Sequence, residues 1–600
     1  MQIGEADFTI AGFLRDSQMN AMMASSKRFL VCDADYERLK SAGSEEYLIE
    51  FLLREEADGN AFATEYTDAG LPRGGPAITK PLIRMMNALS DGLMILVILL
   101  VSVVLLLISM LCIRFTLLTQ LEADRKEIGM LKAIGMPKKE IRNLYFLKFL
   151  ALSGLGAVCG LVFAFASEGA LSAGMRELYG ASENGWLGFL AALAGAGLTV
   201  GILLRCVWRT LKHTEKLSAV EALTGQPGAG KQSRLPSPQY LLVALVIALG
   251  MFLIILPQNI LSTIASPKFV TYMGIGDGAL RLDLRQTEDI AGKTHQVEKL
   301  LAEEQAVERF AVLRTMSCRA VLPDDSYTAL QVEQGDHTVF PVSYAKGEAP
   351  QAENEIALSY LCAEELGFDL GDTLLLLTEE APREYTVCGI YSDITNGGKT
   401  AKAAFLPGGG PPMWSVFYVS LKEGVPKEQW LSAWTRLLSD SGIRARAVDI
   451  QEYVTDTYGQ TIQEIRMAAW AAVLAAALVM FVVVLLFTRL LVAEDRNDIS
   501  LRKALGFTGG DIKRLYFLKY LPVLLAGILA GIASGNLLGE QLAGIFLKTL
   551  GATGFRFQID YGAVCGWIPG VTLICVFCAG LLGLSKVKYI RAYECCMGKE

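Results

Sequence analysis

The sequence predicts an α-helical integral membrane protein with mixed α/β extracytoplasmic domains, built as two repeats. Three observations carry this: seven long uncharged apolar runs, a regular alternation of basic and non-basic short loops, and a motif that recurs after a fixed interval. Of 600 residues, 52% are hydrophobic and 20% charged, more apolar and less charged than soluble domains. The formal net charge of −7 is unevenly spread, because residues 266–465 hold 30 acidic and 17 basic side chains. One acidic, polar segment is thus set in an apolar chain with basic edges. Disorder, collagen and nucleic-acid binding are excluded as explanations of the whole.

Crossing a hydrocarbon core of about 30 Å takes about 20 helical residues. Runs of that kind lie at 92–113, 149–167, 184–204, 239–257, 467–488, 520–539 and 561–585. As drawn, none contains Asp, Glu, Lys, Arg or His, so an intramembrane ion or proton relay is not expected. Segments 114–148, 205–238, 489–519 and 586–600 carry 8, 6, 7 and 4 basic residues. By the positive-inside rule they face the cytoplasm, which puts residues 1–90 and 258–466 outside.

The repeat sets the order of the elements. Asp124 to Phe149 (DRKEIGMLKAIGMPKKEIRNLYFLKF) and Asp495 to Tyr520 (DRNDISLRKALGFTGGDIKRLYFLKY) are identical at 12 of 26 positions, 371 residues apart. The same offset carries Gly156 and Gly160 onto Gly527 and Gly531, two small-xxx-small patterns expected to pack helices closely in lipid. A softer match joins Asp7–Asp16 (DFTIAGFLRD) to Glu384–Asp393 (EYTVCGIYSD), each read as an alternating strand ended at a turn. Because Met1 corresponds roughly to position 378 of the second half, the chain is expected to begin inside a longer gene product. The expected domains are 1–90, the remainder of a first outer domain; 91–210, three spans; 211–238, an inner linker; 239–257, one span; 258–466, a second outer domain; 467–586, three spans; and 587–600, an inner tail.

Within the second outer domain, 279–286 and 384–391 alternate as strands, 295–305 and 357–367 have helical apolar spacing, and 406–412 (LPGGGPP) is a loop. Its acidity is read as a means of solubility. Twelve cysteines define no disulfide framework, and Cys575 with Cys578 inside an apolar run is read as packing rather than as a metal knuckle.

The inner repeat carries the candidate functional residues. Ile141, Leu144 and Tyr145, repeated as Ile512, Leu515 and Tyr516, have the i, i+3, i+4 spacing of one helical stripe beside Lys138, Lys139 and Arg142. An amphipathic helix at the inner membrane surface is expected. The flanking Glu127, Lys132 and Gly135, and in the second copy Asp498, Lys503, Gly506, Asp511, Lys513 and Arg514, complete the set.

The pattern E-I-G-x-L-K-A-I-G-x-x-x-x-x-I at Glu127–Ile141, its second copy at Asp498–Ile512, and the spans around them resemble the FtsX-like permease domain of ABC transporters. ENEIALSYLCAEELGFDLGDTLLLL from Glu353 to Leu377, followed by YTVCGIYSD, resembles the outer domain of the MacB type. The resemblance implies a permease subunit whose inner repeats dock on a separate ABC ATPase dimer. It implies further that movement of the outer domains serves export or extraction of a peptide, drug or lipoprotein-like substrate, beside lipid and an extracytoplasmic accessory protein. ATP and Mg then belong to the partner. In this chain, Gly225–Gln232 (GQPGAGKQ) lacks the hydroxyl residue of a phosphate-binding loop, and Gly398-Lys399-Thr400 has Asp393 where the first glycine belongs. No catalytic, cofactor or metal residues are expected, and no enzyme activity. The rival reading, a seven-span receptor or sensor with an outer ligand domain, does not account for the 371-residue repeat.

Overall fold

The computed structural model describes residues 2–3, 6–12, 29–40, 47–54, 59, 62, 65–66, 69–71, 79–171, 176, 185–214, 238–285, 289–321, 327–378, 381–393, 398–408, 410, 412–443 and 445–590. The chain divides into two units. One comprises Met1–Leu93, Leu261–Gln463 and Glu540–Gln558; the other comprises Met94–Ile260, Glu464–Gly539 and Ile559–Glu600.

The second unit is helical. Among the described residues, seven helices are long and apolar enough to span a membrane: Ile95–Arg114, Lys138–Gly169, Gly185–Lys212, Tyr240–Ile264, Ile462–Glu494, Gly509–Thr549 and Ala563–Tyr589. They coincide in number and order with the seven expected runs. Their full helices, in chain order after the short α1 (Asp33–Lys40), are α2 (Lys80–Ala123), α4 (Lys138–Leu171), α5 (Gly185–Thr214), α6 (Pro238–Ile264), α10 (Ile450–Glu494), α12 (Gly509–Thr549) and, after a π turn at Ala563–Trp567, α13 (Ile568–Gly583). Two nine-residue helices, α3 (Arg125–Ala133) and α11 (Arg496–Ala504), lie between the first and second helix of each repeat. Pro569 directly follows the π turn inside a helical run that begins at Tyr561, where its missing N–H leaves a carbonyl of the preceding turn without its helical donor, and Pro522 lies within unbroken α12.

Helix α6 is the most enclosed of the seven, with 67% of its apolar window buried against 6% for α4 and 0% for α5. Glycines make this possible. A Cβ at Gly527 would lie 2.7 Å from the Ala244 carbonyl oxygen, and one at Gly531 would lie 2.4 Å from the Met251 Cβ and 2.8 Å from the Ala248 carbonyl oxygen. At Gly535 it would meet Ile255 at 2.8 Å. Here α12 and α6 approach backbone to backbone, as small-xxx-small faces allow. The first repeat departs from this expectation: nothing described lies within 4 Å of a Cβ built at Gly156 or Gly160. Its helices instead meet through Leu117, Phe149, Val207 and Leu211, with Phe146 edge-on to Trp208.

The first unit holds the outer domain. Its strands are β3 (Leu280–Arg285), β4 (Val307–Val321), β5 (Tyr327–Gln334), β6 (Tyr344–Gly347), β7 (Glu355–Ser359), β8 (Thr373–Leu377), β9 (Pro382–Tyr391), β10 (Thr400–Ala403), β11 (Trp414–Leu421) and β12 (Ala445–Asp449). Helices α7 (Ile290–Glu303), α8 (Tyr360–Leu366) and α9 (Lys427–Asp440) complete it. Strand order is β12-β3-β11-β4-β5-β10-β7-β9-β6, with β8 bridging β4 and β9. The units β3–α7–β4 and β11–α9–β12 thus form a split βαβ pattern, into which β5–β10 are inserted. Trp430, Trp434 and Leu438 of α9 join Leu280, Leu282 and Leu284 of β3 in one core. Leu330, Val332, Ile356, Leu358 and Tyr385 anchor the other.

The strand expected at 279–286, the helix at 295–305 and the strand at 384–391 are all present. The helix expected over 357–367 begins only at Tyr360, since residues 357–359 complete β7. The strand expected from Asp7 to Asp16 is not found: β1 (Gln2–Ile3) and β2 (Ala6–Asp7) form a two-residue pairing, residues 8–12 have no regular structure, and 13–16 lie outside the described residues. Gly225–Gln232 lies outside them too. Asp393 is buried and accepts from the Thr400 hydroxyl at 2.5 Å, so this stretch is fold-forming. Cys318, Cys362 and Cys388 are all free thiols, and burial pushes Cys362 up to about 12 and Cys388 up to about 11.

Candidate functional site: two inner turns

In both repeats the inner segment folds as helix, glycine turn, helix. Helix α3 ends with Gly135 at φ 95°, and α11 ends with Gly506 at φ 93°, a region that costs a side-chain-bearing residue energy. The closing hydrogen bonds are the same in each. Met136 N–H donates to the Leu131 carbonyl at 3.0 Å and Gly135 N–H to Lys132 at 3.1 Å; Phe507 N–H donates to Arg502 at 3.1 Å and Gly506 N–H to Lys503 at 3.0 Å. These are the paired bonds of a Schellman motif, which satisfy the last carbonyls of a helix.

A side-chain clamp then holds the two helices of each turn together. The Tyr145 hydroxyl donates to Asp124 Oδ2 at 2.8 Å, and the Tyr516 hydroxyl donates to Asp495 Oδ2 at 2.7 Å. Both pairs span 21 residues, and both obey the 371-residue offset. Ile141 and Ile512 are buried beneath the clamp, whereas Leu144 and Leu515 are exposed. The expected single stripe is therefore split: positions i and i+4 face inward, and i+3 faces out. The expected separate amphipathic helix is also corrected. Residues 138–148 and 509–519 are the first turns of α4 and α12, continuous with the spans, and the separate helices are α3 and α11.

Several of the expected charges serve the fold. Lys503 donates to the carbonyls of Val587 and Ile590 at 2.6 Å each, capping the end of the last helical segment. Arg142 lies over the Trp208 ring at 4.2 Å from its centroid, a cation–π contact. Asp498 pairs with Arg502 at 2.9 Å, and the Asp511 carboxylate accepts from the Thr508 N–H at 3.1 Å and hydroxyl at 2.6 Å. With Asp511 N–H donating back to Thr508 at 3.2 Å, this is a capping box. Glu127, Lys138, Lys139 and Arg514 are exposed, and Lys132 and Lys513 half-buried.

Sequence reasoning missed the apolar residues around each glycine. Met130, Ile134 and Met136 are exposed in the first turn, and Leu501, Leu505 and Phe507 in the second. Each is the other's counterpart at the same offset, and Ile134 and Leu505 reach 84% and 71% exposure. Large apolar side chains repeated at an exposed turn mark a contact surface. The signal was present in the sequence as the apolar character that the two copies share at Met130 and Leu501, Ile134 and Leu505, and Met136 and Phe507 around the common glycine.

A duplicated three-helix membrane unit with a helix–glycine–helix turn on its basic side defines a multi-pass membrane protein with extracytoplasmic domains. Residues 99–215 and 470–591 match the family described as FtsX-like permease C-terminal, so the chain carries that permease domain twice. No curated protein matches the chain. Among solved structures, the periplasmic region of MacB from Actinobacillus actinomycetemcomitans is 14% identical, with 32% of this chain and 95% of that chain covered at a TM-score of 0.25. A domain of a putative permease protein from Porphyromonas gingivalis is also 14% identical, covering 28% and 88% at a TM-score of 0.21.

Proposed function

We propose that the two inner turns dock on a separate ABC ATPase dimer, which holds ATP and Mg, and that the chain converts closure of that dimer into movement of its outer domain to export or extract a peptide, drug or lipoprotein-like substrate. The observation that carries this reading is the twice-built turn: a glycine-closed, clamped helix pair with an exposed apolar triad at its tip. A clamp between α11 and α12 makes a push on Leu505 or Phe507 a push on α12 itself. At about 1.5 Å per residue, the 41 residues of α12 extend about 60 Å. Beyond its end, the loop that follows is tied to the outer domain. Ser392 Oγ donates to the Thr553 carbonyl at 2.8 Å, Arg556 N–H donates to the Tyr272 hydroxyl at 3.0 Å, and Gln558 N–H to the Thr263 hydroxyl at 3.0 Å. A helix continuous from the clamp to a loop that is hydrogen-bonded to the outer domain supports mechanical transmission over chemistry within this chain.

The test is purification of the full chain from detergent with its co-purifying subunits, followed by an ATPase assay. A stoichiometric ABC ATPase that is lost on Ile134→Asp with Leu505→Asp, membrane insertion being unchanged, is the expected result. A clean preparation without ATPase overturns the reading and favours a receptor or sensor.

A further inference from the structure

The two tips are alike in backbone and unlike in charge. Residues 134–140 read IGMPKKE and 505–511 read LGFTGGD. Lys138 and Lys139 are exposed in the first turn of α4, with no ion pair or hydrogen bond among the described residues. Cations at a helix N-terminus oppose its dipole, so local folding does not favour them there. The second repeat makes the choice that local folding does favour: Gly509 and Gly510 stand in their place, and Asp511 closes a capping box with Thr508. At the first tip Pro137 occupies the position of Thr508 and offers no side-chain oxygen. Two cations of the second turn are engaged elsewhere, Arg502 with Asp498 and Lys503 with the carbonyls of Val587 and Ile590, and Lys513 is half-buried. Exposed Arg514 stands about 7 Å further along α12.

Resting on the docking reading above, we propose that the first tip seats on an acidic surface of the ATPase through Lys138 and Lys139, while the second seats through Leu505 and Phe507 by apolar contact alone. The two ATPase copies are then held by different physics. One contact weakens with salt, since exposed charges are screened over about 10 Å at 0.1 M and about 3 Å at 1 M; the other does not. Charges at an interface rim act mainly on association rate and its salt dependence, so the first tip also recruits its ATPase copy faster.

The experiment uses the full chain in nanodiscs and the ATPase subunit recovered with it, purified separately, with binding measured without nucleotide between about 0.1 M and 1 M salt. Two ATPase copies per chain are expected, one with an affinity that falls at least tenfold over this range and one with an affinity that changes less than twofold. Lys138→Glu with Lys139→Glu should remove the salt-sensitive copy and leave the other; Lys138→Gln with Lys139→Gln should weaken it and abolish its salt dependence. Phe507→Ser should leave only the salt-sensitive copy. Two copies with equal salt response, or lysine variants that bind both copies normally, overturn the charge assignment and leave docking intact. Failure of any ATPase to bind the unaltered chain defeats the docking reading instead.

Discussion

The Tyr516 hydroxyl reaches Asp495 at 2.7 Å across the turn closed by Gly506, and Tyr145 reaches Asp124 at 2.8 Å across the turn closed by Gly135. A hydrogen bond to a carboxylate is worth about 1.5–3 kcal/mol. Tyr516→Phe with Tyr145→Phe should therefore loosen both turns without affecting insertion. Substrate-stimulated ATPase activity of the assembled transporter should fall while basal ATPase activity persists. Unchanged stimulation would mean that the clamp does not transmit force.

Gly135 and Gly506 hold φ values of 95° and 93°, and forcing a β-branched residue into such a conformation costs about 1–3 kcal/mol. Gly135→Val with Gly506→Val should uncouple ATP hydrolysis from outer-domain motion, read as loss of a distance change between spin labels on the outer domain. Retained coupling would count against the turns as the point of transmission.

Glycines at equivalent positions should respond differently to the same change. Gly531→Leu places bulk against Met251 and the Ala248 carbonyl, 2.4 and 2.8 Å from where its Cβ would stand, and should lower the thermal stability of the purified chain, overpacking typically costing about 1–3 kcal/mol. Gly160→Leu meets nothing described within 4 Å and should leave the melting temperature unchanged. Equal losses would show that the first-repeat face is covered as well.

The outer domain should be acid-labile. His337 is buried, its Nε2–H donating to the Glu333 carbonyl at 2.9 Å, and burial together with the Lys402 ammonium pulls it down to about 4. Burial alone would raise Glu333, but Lys402, with which it pairs, and His337 hold it below the usual carboxylate range. Both groups are depressed, so both stabilise at neutral pH. For His337 that contribution is lost as pH falls from its unfolded value of about 6.5 to about 4, up to about 3 kcal/mol; Glu333 adds its loss below that. Tryptophan fluorescence melts, to which Trp414, Trp430 and Trp434 of this domain contribute, should show lower midpoints at pH 5 than at pH 7, with a weaker dependence in His337→Gln. A flat profile would refute the assignment.

How much of this was legible in the sequence differs by kind of interaction. The spans could be read because lipid demands long uncharged helices, and the repeat because twelve identities at one offset leave little ambiguity. The Gly135 and Gly506 turns were legible as glycines in a helical pattern, but the Tyr–Asp clamp was not, since its partners are 21 residues apart with a turn between them. Lys503 misled because a basic residue in a positive-inside loop reads as a surface charge, while the carbonyls it caps belong to residues 84 and 87 positions away. Leu144 and Leu515 misled because i+3 spacing alone does not distinguish the packed side of a helix from its outer flank. At Gly156 and Gly160 the pattern misled: nothing described lies within 4 Å of a Cβ built there, because small-xxx-small spacing permits a close approach without supplying the helix that makes it.

The clamp has a bearing on how the chain is made. Everything that closes it lies within the stretch from Asp124 to Tyr145, or from Asp495 to Tyr516, and such short-range contacts form early because little loop entropy opposes them. Each turn can therefore set on the cytoplasmic side as it leaves the ribosome, before the helix after it has been inserted. The exposed apolar surface of the turn is then complete while the rest of its repeat is still being synthesised.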